Sequence, residues 1–515
     1  MPRSFWLKKG YAFFLRTCCH SLGSVPFLGQ CRQGTIPWLN AGKNVRATNL
    51  SLLHFISSQG FPILVEPASP ICPVEPHSLS IYRFYLLKDC QYNTINSQSI
   101  SKYMRILHLS LTNFRNYARL ELDFPPGVVL LQGDNAQGKT NLLEAIYYLS
   151  RMHSPRTSVD RELVNWLAWK EDLPFARLVA QIQSDEQTDQ IELSLVQNST
   201  GNVDVNAVGV RKHIRVNGVP KRALDVIGLL HVVLFLPQDI NLVDGPPHLR
   251  RQYLDDTISQ VDAQYCRELQ HYHRVLTQRN YLLKSLKGRG YDEAQLLFWD
   301  QRLVQHGAYL IVRRQQVIQQ LDEFVQRIHP QLTGETERLR LEYDASVQLE
   351  RRPGTAYQMA LPTEPGTDTA SASTRLQDVA ALFADQLRAI RVKEQEQGIS
   401  LVGPHRDNLR FLVNGVDMNV YGSRGQQRTI ALSLKLAEVE WTAQERKDKP
   451  VLLLDDVLSE LDAAHRRYLL DAIDQAQQVI ITTTDFTPFN EEFLSRATLW
   501  RVCAGRITTS MTNSQ

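Results

Sequence analysis

From Ile106 onward, apolar and polar positions alternate in short runs. The stretches 106–111 and 120–124 (Leu-Glu-Leu-Asp-Phe) predict an antiparallel pair of strands. Residues 128–132 form a short apolar strand, and 141–150 read as a helix. Strands follow at 191–196 and 214–216, the latter meeting an Asn217-Gly218 hairpin turn. The pattern then changes. Residues 248–287 and 293–329 are charged, Gln-rich and long, with Leu, Tyr and Val three to four positions apart. That spacing predicts two long antiparallel helices, an arm. Residues 352–374 are poor in hydrophobes and rich in Pro, Gly, Thr and Ser, which predicts a loop. A helix over about 375–396 precedes strands at 409–413, 451–454 and 479–483, with an Asn414-Gly415 turn after the first.

Length and composition set the frame. A chain of 515 residues with 43% hydrophobic and 22% charged residues has room for two or three domains. This balance excludes a wholly disordered, collagen-like or disulfide-scaffold protein. No apolar run approaches the roughly 18 residues a membrane span needs. The net charge of +3 hides an asymmetry. Residues 1–103 hold ten Lys and Arg against three acids, leaving 47 basic and 51 acidic groups in 104–515. Five of the seven cysteines also lie before residue 104. The later part, with Cys266 and Cys503 alone, fits a reducing cytoplasm.

Residues 1–103 lack clear periodicity, and three readings stand for them. They could be a targeting segment, though Arg16 cuts the apolar stretch 11–15 short of a signal-peptide core. They could be a small metal-binding domain, though Cys18, Cys19, Cys31, Cys72 and Cys90 lack paired zinc spacing. The reading adopted is an N-terminal extension that is disordered or a start-site artefact, with the orderly pattern beginning at Met104. The remaining divisions are a first head lobe over 104–245, a helical arm or second lobe over 246–398, and a head completion over 399–515.

The chemistry is concentrated in two places. Gly133, Asp134, Asn135, Ala136, Gln137, Gly138, Lys139 and Thr140 fit the phosphate-loop pattern in full, between a strand and a helix. The glycines let backbone N–H groups curl around phosphates, and the helix N-terminus adds positive potential. Lys139 is placed to bridge the β and γ phosphates of ATP, and the Thr140 hydroxyl to bind Mg²⁺. The second half is the apolar run 451–454 ending in Asp455 and Asp456. It delivers a carboxylate to the carboxyl end of a strand beside the phosphate loop. Asp455 then holds the Mg²⁺ shell, and Asp456 acts as general base or positions the attacking water.

Lys139 and Asp455 lie 316 positions apart, with the helical arm between them. Before the second half stands Tyr421-Gly422-Ser423-Arg424-Gly425-Gln426-Gln427, followed by an amphipathic helix from about Arg428 to Trp441. This segment resembles the ABC ATPase signature, with Ser423, Gly425 and Gln426 on its fixed positions. Such a helix start is aimed at phosphate. The resemblance implies that it acts across a dimer, with residues 459–462 as the D-loop. The fold class expected is therefore α/β: an ABC-type ATPase head, with a mixed sheet and P-loop core, split by an inserted helical arm domain.

Within that class, the structural-maintenance-of-chromosomes proteins have longer arms. Over about 104–510 the chain resembles the RecF family of bacterial DNA replication and repair proteins. The resemblance is carried by Leu111–Tyr117, the phosphate loop, Ser154–Thr157, the segment from Pro237 to Asp255, Gly403–Asp407, the signature and Leu454–Asp462. It implies an ATP-dependent homodimer that binds double-stranded DNA near single-stranded gaps. It also implies RecR and RecO as partners, help in loading RecA, and a slow ATPase serving as a switch. Gln238 would be the Q-loop residue, Arg115 a candidate nucleotide contact, and His405 and Arg406 either ATP-facing or bracing. Two positions depart from ordinary ABC ATPases: Asp456 replaces a Glu, and 482–484 (Thr-Thr-Thr) occupies the region of a His. DNA contacts must come from local charge; candidates are Arg211, Lys212, Lys221, Arg222, Arg250 and Arg251. Rival classes are a transporter ATPase, which keeps its motifs close together, an ATPase-nuclease of the overcoming-lysogenisation type, which needs a further domain, and a chromosome-bridging protein.

Overall fold

The computed structural model describes residues 104–509, apart from 171–173, 185–186, 198–208, 288–292, 348–367 and 475. Before residue 104 it describes only β1 (Ile63–Pro67) and β2 (Tyr82–Leu86), which pair antiparallel in a unit spanning Met1–Gln98. The reading of 1–103 otherwise lies outside the described residues. The second unit spans Ser99–Gln515.

That unit begins with the alternating strands β3 (Arg105–Phe114) and β4 (Tyr117–Asp123), then β5 (Gly127–Gln132) and α1 (Lys139–Arg151). β6 (Phe175–Ser184), β7 (Gln187–Gln197), β8 (Val210–Val216) and β9 (Val219–Pro220) follow. With β3 and β4 they make an antiparallel sheet in the order β4-β3-β6-β7-β8-β9. Asn217 and Gly218 both have positive φ, 51° and 78°, as a two-residue hairpin of this hand requires.

β10 (Val232–Phe235) leads into the inserted helices α2 (Pro247–Val261), α3 (Ala263–Leu286) and α4 (Glu293–Leu332). The chain continues through β11 (Leu339–Asp344), α5 (Asp368–Gln397), β12 (Asn408–Val413) and β13 (Val416–Asp417). It ends with α6 (Arg424–Arg446), β14 (Val451–Asp455), α7 (Ala463–Asp474), β15 (Gln478–Thr483), β16 (Thr498–Cys503) and β17 (Arg506–Thr509). β11, β12 and β13 form a small antiparallel sheet.

The central sheet has the order β10-β14-β15-β5-β16-β17 and is parallel except for the β16–β17 pair. Every residue of β14 and β15 is buried, which explains their near-continuous apolar runs. Alternate side chains feed two cores. Val129, Leu131, Leu453 and Ile480 pack with α1 and the antiparallel sheet. Leu130, Leu452, Leu454 and Ile481 pack with α6 and the inserted helices. The architecture is an α/β ABC-type head with a helical insertion.

The insertion differs from a free arm. The expected helix over 248–287 is two helices, because Asp262 leaves helical geometry and caps α3, accepting the Tyr265 N–H at 2.9 Å. α3 and α4 do run antiparallel, as the pairs Arg314–Tyr265, His306–Glu268 and Arg279–Asp300 show. Yet α4 also lies along the head. Gln320 accepts from Trp441 Nε1 of α6 at 3.0 Å, and His329 Nδ1 meets the Ser433 hydroxyl at 2.9 Å. Buried Arg279 ties α3 to α4 and α5 through Asp300 and Glu394. Of the loop expected over 352–374, residues 368–374 belong to α5, which begins at Asp368; residues 352–367 lie outside the described residues. Among the described residues no helix is long and apolar enough to cross a membrane.

Candidate nucleotide site

β5 delivers the phosphate loop to the start of α1, and neighbouring segments fix its shape. Gly138 has φ 116°, and a Cβ there would lie 2.5 Å from the Asn116 side chain. Only glycine meets both conditions. Asn116 Nδ2 donates to the Gln137 carbonyl at 3.0 Å, and the Tyr117 hydroxyl donates to the Gly138 carbonyl at 2.9 Å. From the other side, the Ala504 N–H donates to Gln137 Oε1 at 2.6 Å and the Gly505 N–H to the Gln137 carbonyl at 3.0 Å. The loop is thus clamped by the β3–β4 and β16–β17 turns. Asp134, Asn135 and Ala136 form its exposed rim.

Lys139 is buried, and its ammonium donates to the carbonyls of Gly133 and Asp134. Burial pushes its pKa down, while the charges of Asp456, Asp455 and Asp134 oppose that shift. Thr140 Oγ1 donates to Asp455 Oδ1 at 2.9 Å. The expected proximity of the two halves is therefore present, though by a different route. β14 is not the neighbour of β5; β15 lies between them.

Asp456 follows β14 in left-handed geometry, with φ 53°. Its N–H is held by the Thr482 hydroxyl at 3.0 Å. Burial raises its carboxyl above the usual range, against the pull of Ser459 and Lys139, and its Oδ1 is buried without a hydrogen-bond partner. An unpartnered buried acceptor beside a phosphate cradle fits a site that takes up a water or another polar ligand. The hydroxyl of Thr140 and carboxylate of Asp455 are hard oxygen donors suited to Mg²⁺, which ordinarily takes few protein ligands beside phosphate and water. Among the described residues no group of three or more His, Cys, Asp or Glu is arranged to hold a metal by itself.

Ser423 caps α6. It accepts the Gln426 N–H at 3.3 Å, while Gln426 Oε1 accepts the Ser423 N–H at 3.1 Å. The helix therefore begins at Arg424, earlier than the apolar pattern alone suggests. Ser423 and Gly425 are exposed, and a Cβ at Gly425 would meet open space. Gln426 Nε2 is tied to Glu337 at 2.8 Å. None of these bonds reaches residues 133–140 of the same chain. The adjoining Val420 and Tyr421 are 66% and 74% exposed. In the D-loop region, Glu460 pairs with Arg428 and Asp462 caps α7 by accepting the His465 N–H at 2.9 Å.

Gln238 is exposed just past the end of β10, the edge strand beside β14. The adjacent Asp239 carboxyl is pushed up to about 6 by burial. Other candidates are committed elsewhere. Arg115 makes a two-pronged contact with buried Glu144 at 2.7 and 2.9 Å. His405 and Arg406 both bind the Ser400 carbonyl, and His405 also meets the Tyr272 hydroxyl, so they brace the helical lobe. Arg250 is 2% exposed and donates to the carbonyls of Leu242, Val243 and Gly245; Arg251 donates to the Asp407 carbonyl. Buried Arg250 therefore serves the fold rather than a DNA-facing surface, while Arg251 is half-buried and tied to the same lobe. Lys212 and Arg222 are paired with Asp160 and Asp225. Exposed Arg211, Arg215 and Lys221 remain, the last two lining a groove of ≈ 400 Å³ on β7–β9. Arg215, absent from the candidates above, faces outward beside buried Ile214, an alternation visible in the sequence.

A phosphate cradle and an acid pair at a parallel strand end, with a serine-capped helix and an inserted helical lobe, make this an ABC-type ATPase head. Residues 105–502 match the RecF/RecN/SMC N-terminal domain family. The DNA replication and repair protein RecF of Chloroflexus aurantiacus is 42% identical over 411 residues, covering 78% of this chain and 99% of that protein. RecF of Staphylococcus epidermidis is 38% identical, covering 78% of this chain and 100% of its own length. A solved structure of the recombination mediator protein RecF with ATPrS superposes with a TM-score of 0.66 at 31% identity, covering 80% of this chain and 100% of that one. The RecF–ATP structure gives 0.65 at 30% identity, covering 79% and 98%. The chain belongs to the RecF family.

Proposed function

We propose that this chain is a cytoplasmic, ATP-operated clamp on DNA, acting in replication-linked repair. Residues 133–140 bind the triphosphate, with Thr140 and Asp455 holding Mg²⁺, which supplies charge neutralisation at the phosphates. The exposed N-terminus of α6, with Ser423 and Gly425, closes on the nucleotide of a second copy. Two nucleotides are thereby buried in a head-to-head homodimer. The observation that carries this reading is a capped helix start turned to open space beside exposed Val420 and Tyr421. A positive helix end and apolar rim suit a partner carrying phosphate and a protein surface.

The paired state binds double-stranded DNA, preferentially where a single-stranded gap adjoins it, and presents RecR and RecO with a platform for loading RecA-type proteins. Support comes from the relatives: they are named as replication and repair proteins, and a solved one is described within the RecFOR pathway. Asp456 orients or deprotonates the attacking water, and hydrolysis releases the pair. With Asp in place of Glu and Thr in place of His, turnover is slow, as a timing switch requires.

Size-exclusion chromatography of the full chain, with no nucleotide, ATP or a non-hydrolysable analogue, with and without gapped duplex, tests the reading. Pairing is expected only with triphosphate, and DNA is expected to co-elute with the pair. A constant monomer indifferent to both ligands would defeat it.

A further inference from the structure

β15 separates the two halves of the site, and it supplies a side chain to which the functional reading gives no contact with either acid. Thr482 is 1% exposed. Its hydroxyl lies 2.8 Å from Asp455 Oδ1, 3.5 Å from the Leu454 carbonyl and 3.0 Å from the Asp456 nitrogen. A hydroxyl has one proton to give. The shorter, charge-assisted bond to Asp455 takes it, and an oxygen lone pair accepts the Asp456 N–H. One oxygen therefore holds both acids: the first by its carboxylate, the second by its peptide.

Both grips have a purpose. Asp455 Oδ1 also accepts from Thr140, so Thr482 and Thr140 fix that carboxylate from two sides. Asp456 sits at φ 53°, a conformation that a non-glycine residue keeps only when its surroundings enforce it. Thr482 does so through the hydroxyl and through its own carbonyl, which accepts the same N–H at 3.3 Å. The neighbouring Thr483 turns away and donates to the Asp485 carbonyl at 2.6 Å.

We propose that Thr482 is a positioning residue: its hydroxyl orients Asp455 toward Mg²⁺ and aims Asp456 at the attacking water. The inference rests on the assignment of Thr140 and Asp455 as Mg²⁺ ligands. Ligand-supporting hydrogen bonds of this kind tune metal affinity without touching the metal.

The test uses the full chain with Thr482→Val, which keeps the shape and removes the hydroxyl, and Thr482→Ser, which keeps the hydroxyl. Binding of trinitrophenyl-ATP is titrated in EDTA and against Mg²⁺, and phosphate release is measured separately. In EDTA, all three proteins are expected to bind alike. The Val variant is expected to need about tenfold more Mg²⁺ for its binding transition, with hydrolysis about tenfold slower at saturating Mg²⁺. The Ser variant matches the wild type. Circular-dichroism melts check the fold; should Val melt early, Thr482→Cys, of similar size but a weak donor, is expected to shift the Mg²⁺ midpoint in the same direction. A hydroxyl-free variant with the wild-type midpoint overturns the inference, as does a Ser variant as impaired as Val. A wild type without Mg²⁺-dependent nucleotide binding refutes the underlying site assignment instead, and the inference falls with it.

Discussion

The Thr140 hydroxyl donates to the Asp455 carboxylate over 2.9 Å, although 315 positions of chain separate them. The inserted helical lobe lies between these residues in sequence but not in space. Its ends return to the central sheet because β10 and β14 pair in parallel, Val232 with Val451 through Phe235 with Leu454. The site is complete only when the chain has closed that pairing. Nucleotide binding should therefore report on the folding of the whole unit rather than on the phosphate loop alone.

Lys139→Ala should remove the cation that faces the phosphates and leave Asp455, Asp456 and Asp134 uncompensated. The loss in ATP affinity should be on the order of 10–100-fold, from charged hydrogen bonds worth about 1.5–3 kcal/mol. Fluorescent-nucleotide titration measures it. Near-wild-type affinity would remove Lys139 from the site.

Asp456→Asn keeps the left-handed backbone position accessible and removes the basic carboxylate. Phosphate release should fall about 100-fold or more, the scale of a lost general base. The nucleotide-dependent pair should persist on gapped DNA, seen as slow release into competitor. Release at the wild-type rate would show that Asp456 does not govern the hydrolytic step.

Ser423→Arg places a long cation at the exposed start of α6. Binding of nucleotide to the phosphate loop of the same chain should stay within about twofold, because the Ser423 and Gln426 bonds do not extend to that loop. ATP-dependent pairing should disappear in light scattering. Pairing that survives would place the interface elsewhere.

The phosphate loop was legible in sequence because its cradle is built from eight consecutive residues, with strand and helix on either side. The acid pair was legible because a buried apolar run of four residues ends abruptly in two carboxylates, the first of them still buried. The supporting residues were not. Asn116 acts from a turn on another sheet, and although 482–484 stood out as the region of the ABC His, the grip of Thr482 on both acids comes from a strand interposed only by tertiary structure. Arg250 looked like a surface cation at a helix start. Instead, carbonyls of Leu242, Val243 and Gly245 converge on its guanidinium, a demand that no local pattern reveals. The break at Asp262 was hidden for a related reason: in a polar, Gln-rich run, one more acid gives no sign that it caps the next helix.

DNA contacts should involve Arg215 and Lys221, the exposed cations beside the β7–β9 groove. Replacing both by Ala should weaken duplex binding and reduce the steepness of log affinity against log salt by about 2, one counterion per lost phosphate contact. The same double change at Arg250 and Arg251 should instead lower thermal stability, since those side chains serve the fold. An unchanged salt slope in the first variant would move the DNA surface away from this groove.

Acid should destabilise the helical lobe through His405. Its Nε2–H donates to the Ser400 carbonyl at 3.1 Å, and its Nδ1 accepts from the Tyr272 hydroxyl at 2.6 Å. Both bonds suit the neutral ring. Burial pushes its pKa down from 6.5 to about 4, helped by the charges of Arg406, Arg251 and Arg279. The unfolded chain protonates near 6.5, so between these values it takes up a proton that the folded chain refuses. The stabilising contribution is therefore full above pH 6.5 and is lost as pH falls toward about 4. Between pH 7.5 and 5 the loss from this group should be about 2 kcal/mol. His405→Gln, which cannot protonate, should flatten that limb in urea unfolding at the two pH values. It should leave nucleotide binding at pH 7.5 unchanged, because the ring braces helices and does not face the phosphate loop. An acid limb as steep in the variant as in the wild type would show that the ring is already free to ionise in the fold.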